Sequence, residues 1–190
     1  MGGDIVEKKK LEPGTFLFPV PSVMVSCVDK KGNENIITIA WTGTVNSKPP
    51  MVGISIRPDR YSYNLIKESQ EFVVNIPNED LTWETDYCGS VSGKKVDKFA
   101  ETGMTSTRGK VVSVPMIAEA PINLECVLFD VIELGSHHLF IGEVKQVHIA
   151  EYALDERDKL DPHQAKIVTF GGKGYYRTGE KLFDRGGSIK

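Results

Sequence analysis

With 190 residues, 40% of them hydrophobic and 26% charged, the chain can build one sizeable core, and we expect a single domain over residues 1–190. A formal charge of -3 gives no basic field, which argues against nucleic acid as a main partner. Cys27, Cys88 and Cys126 are odd in number, far apart and without CxxC or Cys/His spacing, so no disulfide framework or zinc site is expected, and a reducing compartment fits best.

Residues 1–13 are polar and expected to be frayed, with no hydrophobic leader. No apolar run approaches the ~20 residues that a bilayer crossing needs, so we expect no membrane association and a cytoplasmic protein. Val23 to Val28, rich in valine and preceded by prolines, reads as a strand. Asp29 to Asn33 supplies turn chemistry, and Ile36 to Trp41 returns as the antiparallel partner. A hydroxyl-rich strand carrying Thr38, Trp41, Thr42, Thr44, Asn46 and Ser47 then runs to Pro49-Pro50, which cannot donate to a ladder. Met51 to Ile56 is an apolar strand that Pro58 ends.

Ser62 to Gln70 predicts a short helix with Ser62 as its N-cap, and Phe72 to Ile76 resumes strand character. Asn78 is placed to cap a second helix bearing Leu81, Trp83 and Tyr87, and Val96, Phe99 and Ala100 mark a third closed by Gly103. Ile122, Leu124, Cys126, Leu128 and Ile132 share one parity of a long strand, with Asn123, Glu125 and Glu133 on the other, so one face should be buried. The apolar parity of Leu139 to Ile149 shifts after Ile141, predicting a bulge near Gly142. A polar connection over 151–166 leads to a strand at Ile167 to Phe170 and a glycine turn before Tyr175-Tyr176. Long antiparallel strands with a few inserted helices predict a mainly β protein, a Greek-key barrel.

Several stretches could carry chemistry. Ser55 and Arg57, two apart on the strand that includes Ile56, share a face, and Arg60 and Ser62 stand at the next helix start. Charged guanidinium donors, hydroxyls and the free N–H groups of a helix N-terminus together suit an anion. Without further support, a solvated arginine and an ordinary cap have the edge. Trp41 followed by Thr42-Gly43-Thr44 joins a stacking surface to small residues whose amides can approach a ring edge, as a flavin needs, although a lone strand Trp is more often core or interface. Gly171-Gly172-Lys173-Gly174 is not a phosphate loop, because Gly174 stands where Ser or Thr is required, and no GxGxxG is present. His137 and His138 fall at a hairpin tip, where solvent exposure is the plain expectation; His148 and His163 have no partner at ligand spacing. Cys88, without a neighbouring cation, reads as a small buried residue.

Taken in order, Pro19-Val20-Pro21-Ser22-Val23, Asn35 to Trp41, Ser47-Lys48-Pro49-Pro50, Phe72 to Pro77 and His137 to Val144 resemble the flavin reductase-like family of FMN-binding split barrels, and its flavoredoxin branch most closely. The resemblance runs from residue 16 to about residue 177. It implies a split β-barrel of Greek-key type, a homodimer, and FMN near the subunit interface. It places Asn35 and Trp41 beside the isoalloxazine, Thr42 to Thr44 at its polar edge, and Ser55, Arg57 and Ser62 on the phosphate. Lys98, His137 and Phe170 match further cofactor positions, and His137 is preferred to His138 by its spacing to Leu139 and Gly142. Arg60-Tyr61-Ser62 stands where relatives often have Lys-Asp-Thr, keeping the charge and the hydroxyl. The implied activity is an FMN-dependent oxidoreductase with its chemistry at flavin N5, a donor such as NAD(P)H, and a small-molecule or protein acceptor. An electron-transfer module with a protein donor and a non-catalytic flavin-binding protein are the alternatives.

Overall fold

The apolar strands pair as their alternation dictates. In the computed structural model, which describes residues 5–188, they are β1 (Val20–Pro21), β2 (Val23–Val28), β3 (Glu34–Ile39), β4 (Thr42–Ser47), β5 (Pro50–Ile56), β6 (Glu71–Ile76), β7 (Ser106–Arg108), β8 (Pro115–Ile117), β9 (Ile122–Glu133), β10 (His138–Ile149), β11 (Val168–Phe170) and β12 (Tyr175–Arg177). Three helices, α1 (Tyr61–Ser69), α2 (Thr82–Ser90) and α3 (Lys98–Thr102), are inserted between them. Residues 5–13 lie exposed without regular structure, and the rest of the stretch expected to fray, residues 1–4, lies outside the described residues.

Seven strands form one antiparallel sheet in the order β3-β2-β6-β9-β10-β5-β4. Its two edge strands, β3 and β4, are consecutive in the chain and separated by Ala40 and Trp41 alone, so the sheet must curl until its edges meet. The Ser55 N–H donates to the Trp41 carbonyl at 2.9 Å beside that junction. This is a split barrel. The single hydroxyl-rich strand expected from Thr38 to Ser47 is thereby corrected: the chain breaks at Ala40-Trp41 to pass from one edge to the other. The predicted bulge is present as a register shift between Ile141 and Gly142, with a second between Val144 and Gln146.

Inside the barrel, Val23, Val25 and Cys27 of β2 meet Phe72, Cys126 and Phe140, while Tyr63, Leu65 and Ile66 of α1 join the same cluster. Each such side chain contributes ~1.5–3 kcal/mol by leaving water. Met24 and Ile36 point the other way and pack with Leu81, Cys88 and Phe99 beneath α2 and α3. Strand β2 is therefore buried on both faces, which is why it reads as an apolar run rather than an alternating one.

Strand β9 corrects the expectation of one buried face. Asn123 is buried and Glu125 fully so, although both lie on the polar parity. The β7-β8 hairpin and the loop between its strands, none of which the sequence pattern predicts, cover them. Glu125 accepts hydrogen bonds from the N–H groups of Lys110, Val111 and Val112 at 2.9, 2.7 and 2.8 Å and lies 2.6 Å from His148 Nε2, so His148 does have a partner. Gly109 has to be glycine here, because a Cβ would collide with the Glu125 carboxylate. No helix among the described residues is long and apolar enough to cross a membrane.

Two helix caps also differ from expectation. Ser62 lies inside α1, whose N-cap is Arg60, because the Ser62 hydroxyl is used instead to accept from Asn35 Nδ2 at 2.7 Å. Asn78 caps a single 3-10 turn, Glu79–Leu81, and makes no side-chain capping bond. Asp97 caps α3 by accepting from the Ala100 N–H at 3.2 Å, and Gly103 closes it in the left-handed region at φ 71°, as expected.

Candidate functional site

Where β3 leaves the barrel edge, a cleft of about 330 Å³ opens between β3, the end of β5, the first turn of α1 and the segment Cys88 to Gly93. Ten of the fifteen expected site residues line it: Asn35, Thr38, Trp41, Ser55, Ile56, Arg57, Arg60, Ser62, Lys98 and His137. Sequence distance is bridged by the barrel, which brings β3 to α1, α3 and the tip of the β9-β10 hairpin.

One wall is cationic. Lys98 is only 3% exposed, and its ammonium donates to the carbonyls of Ile36 and Cys88, both at 2.6 Å. Among the described residues no carboxylate pairs with it, and burial, with Arg60 adding a smaller like-charge effect, holds its pKa below the usual lysine value. Arg57 and Arg60 stand half-exposed at the mouth on either side of Asp59, at 3.5 and 3.9 Å from its carboxylate. The first N–H groups of α1 have no acceptor within the helix and add partial positive charge here. Gly93 packs on Asn35 so closely that a Cβ would overlap the Asn35 side chain, whose Oδ1 is buried without a hydrogen-bond partner.

The rim is aromatic. Trp41 is 42% exposed, and its ring centroid lies 4.5 Å from that of His137, with planes inclined at 45°. His137 is partly withdrawn from water, contrary to the plain expectation for a hairpin tip, and desolvation followed by the nearby Arg57 lowers its pKa. Cys88 lies in the inner wall and, contrary to expectation, does have a neighbouring cation, Lys98, but burial outweighs that charge and pushes the thiol up to about 11, so it stays protonated at neutral pH.

Five expected residues stand outside the cleft. Thr42, Gly43, Thr44 and Asn46 lie on the edge strand β4; the Thr42 hydroxyl donates to the Gly53 carbonyl at 2.8 Å, and Asn46 Nδ2 to the Pro49 carbonyl at 2.8 Å. No atom crowds Gly43, so nothing within one copy requires glycine there. Phe170 packs in the small β1-β11-β12 sheet, its ring edge-on to Phe18 with centroids 6.3 Å apart. Conversely, the structure adds Asp59, Tyr61 and the whole of Gly89-Ser90-Val91-Ser92-Gly93. Two glycines and two serines within five residues, just ahead of a predicted helix, were the available clue to that segment.

The fold and this cleft define a split-barrel protein with a cation-lined pocket under an aromatic rim. Residues 15–178 match the flavin reductase like domain, and the chain belongs to that family. Flavoredoxin of Desulfovibrio vulgaris is 33% identical, superimposes with a TM-score of 0.92, and the match covers 97% of this chain and 100% of that one. Flavoredoxin from Methanosarcina acetivorans is 30% identical with a TM-score of 0.87, covering 94% and 95%. An FMN-binding protein from Thermus thermophilus, solved with 1-cyclohex-2-enone bound, is 26% identical with a TM-score of 0.80, covering 96% and 99%.

Proposed function

We propose that this chain binds FMN in the cleft and acts as an oxidoreductase that passes electrons from NAD(P)H to an acceptor. The observation that carries the reading is Lys98, a buried ammonium that has no carboxylate partner among the described residues, in the wall of a cleft. An isolated buried cation costs several kcal/mol, and a bound anionic group offsets that cost. The donor set fits FMN: Arg57, Arg60, Ser62 and the first N–H groups of α1 suit a phosphate, and Trp41 with His137 offers an aromatic edge to a flat ring.

When bound, FMN supplies the redox chemistry. The chain's own part is to hold and orient it. Lys98 keeps a positive charge in a desolvated wall, which favours negative charge on the bound group. Thr38 has committed its hydroxyl proton to the Thr85 carbonyl and is left with acceptor capacity towards the cleft. Residues of β4 and Phe170 fall outside one copy's cleft; on this reading they act within a homodimer, where the exposed β4 edge would meet a second copy.

A second reading, FMN held for exchange with a protein donor, is favoured by the apolar surface beside the rim. Phe16 and Leu17 are exposed and share a cavity of about 270 Å³ with Trp41. The deciding experiment is a visible spectrum of the purified protein followed by anaerobic titration with NADH and NADPH. Bleaching of bound flavin by either nicotinamide is expected. Bleaching by a reduced iron–sulfur protein alone selects the second reading, and failure to take up supplied FMN overturns both.

A further inference from the structure

His137 is the last residue of the turn before β10 and His138 the first residue of that strand, and their side chains point apart. His137 turns to the cleft and Trp41. His138 turns to α1, where its Nδ1 lies 2.8 Å from the Tyr63 hydroxyl. That tyrosine is buried, immediately follows Ser62, and meets the edges of both His138 and Phe140, with centroids 5.4 and 5.1 Å apart. A single hydrogen bond therefore joins the hairpin tip to the first turn of α1, the two elements that stand on either side of the cleft mouth. The turn behind it is held by the Leu134 N–H to the His137 carbonyl at 3.2 Å and by the Ser136 hydroxyl 3.0 Å from His137 Nδ1, while His138 itself is registered between Glu133 of β9 and Ile56 of β5, so the unpaired tip is residues 134–137.

We propose that His138 is a positioning residue: its bond to Tyr63 locks the β9-β10 tip onto α1 and so keeps the His137 ring against Trp41 at the cleft mouth. Its bearing on cofactor retention rests on the flavin reading above, but the lock itself does not. Residues 134–137 lie beyond the paired ends of β9 and β10, and the Tyr63 hydroxyl fixes the side chain at their edge, selecting the arrangement in which the aromatic rim is assembled.

The test uses the full chain carrying Trp83→Phe, which leaves Trp41 as the sole tryptophan of the two. Tyr63→Phe, His138→Phe and their combination are compared by acrylamide quenching of Trp41 fluorescence, without flavin and well below the melting midpoint. Each single variant is expected to expose Trp41 to the quencher more than the parent does, and the double variant no more than either single one. A purely structural role would lower the melting midpoint and leave quenching unchanged, and that result, or additive effects in the double variant, overturns the proposal. FMN binding read in parallel should weaken by about 2- to 12-fold, the net worth of one hydrogen bond. If the parent takes up no FMN while quenching still responds to Tyr63→Phe, the lock stands and the flavin reading falls.

Discussion

Replacing Lys98 by methionine separates a cation kept for a ligand from one kept for the fold. Methionine preserves much of the stem, and the structural loss is defined: the carbonyls of Ile36 and Cys88, each 2.6 Å from the ammonium, lose a charged donor. At roughly 1.5–3 kcal/mol for each hydrogen bond to a charged group, that loss is ~3–6 kcal/mol. Against it stands the desolvation of the ammonium of a residue 3% exposed and, among the described residues, without a carboxylate partner, which also costs several kcal/mol in the native protein and vanishes in the variant. The two nearly cancel, so flavin-free Lys98→Met should match the parent within ~1 kcal/mol in urea denaturation at pH 7. FMN binding has no such cancellation, and losing one charge-assisted contact should weaken it ~10- to 100-fold by fluorescence titration. The pH dependence has a fixed sign. Burial lowers the Lys98 pKa, so the unfolded chain binds more protons at alkaline pH, and the stability of the parent relative to the variant should rise towards pH 10.5. A variant destabilised by several kcal/mol with unchanged FMN affinity would refute the reasoning and make Lys98 a structural strut.

Three further outcomes follow from the same geometry. Arg57→Ala should weaken FMN about tenfold, a modest figure because the guanidinium is half-exposed, and should leave riboflavin, which lacks the phosphate, nearly unaffected; equal losses for both ligands remove Arg57 from the phosphate role. Trp41→Ala should shift the visible spectrum of bound flavin and lower its affinity with little effect on folding, since the ring is 42% exposed; an unaltered spectrum and affinity would place the flavin elsewhere. Glu125→Gln tests the outer clamp. Burial opposes ionisation there, but His148 and three backbone N–H groups outweigh it and bring the carboxyl from 4.5 to about 2. A lowered folded pKa means stability that is complete above about 4.5 and lost as pH falls through about 2, worth ~3 kcal/mol at neutral pH. Denaturation at pH 7 should therefore show that loss in the glutamine variant, and a difference below ~1 kcal/mol would sink the account.

What the sequence disclosed depended on how local the cause was. Strands β2, β5, β6, β9 and β10 are legible because alternation and proline placement act within a few residues. The bulge at Gly142 is legible for the same reason: a change of parity is written in consecutive side chains. Glu125 reads as solvent-facing because parity shows only that Asn123 and Glu125 share a face, while what covers that face comes from residues 105–117, which carry no clear periodicity. Ser62 has a cap's chemistry and sits two residues past the N-cap Arg60, where Asn35, 27 residues earlier, claims its hydroxyl.

The site divides along the same line. Ser55, Arg57, Arg60 and Ser62 are close in sequence and could be grouped from the residues alone, yet a solvated strand end explained them as well. What tips the balance is Lys98, whose ammonium reaches the Ile36 carbonyl 62 residues away, and no pattern in the residues around Val96 to Phe99 announces a buried charge. The same holds for the histidine pair. His137 ends the turn and His138 begins β10, so alternation does not govern the pair, and which of them meets the cleft depends on the side of β10 that α1 occupies. Tyr63 settles it by taking His138, and His137 is left to Trp41.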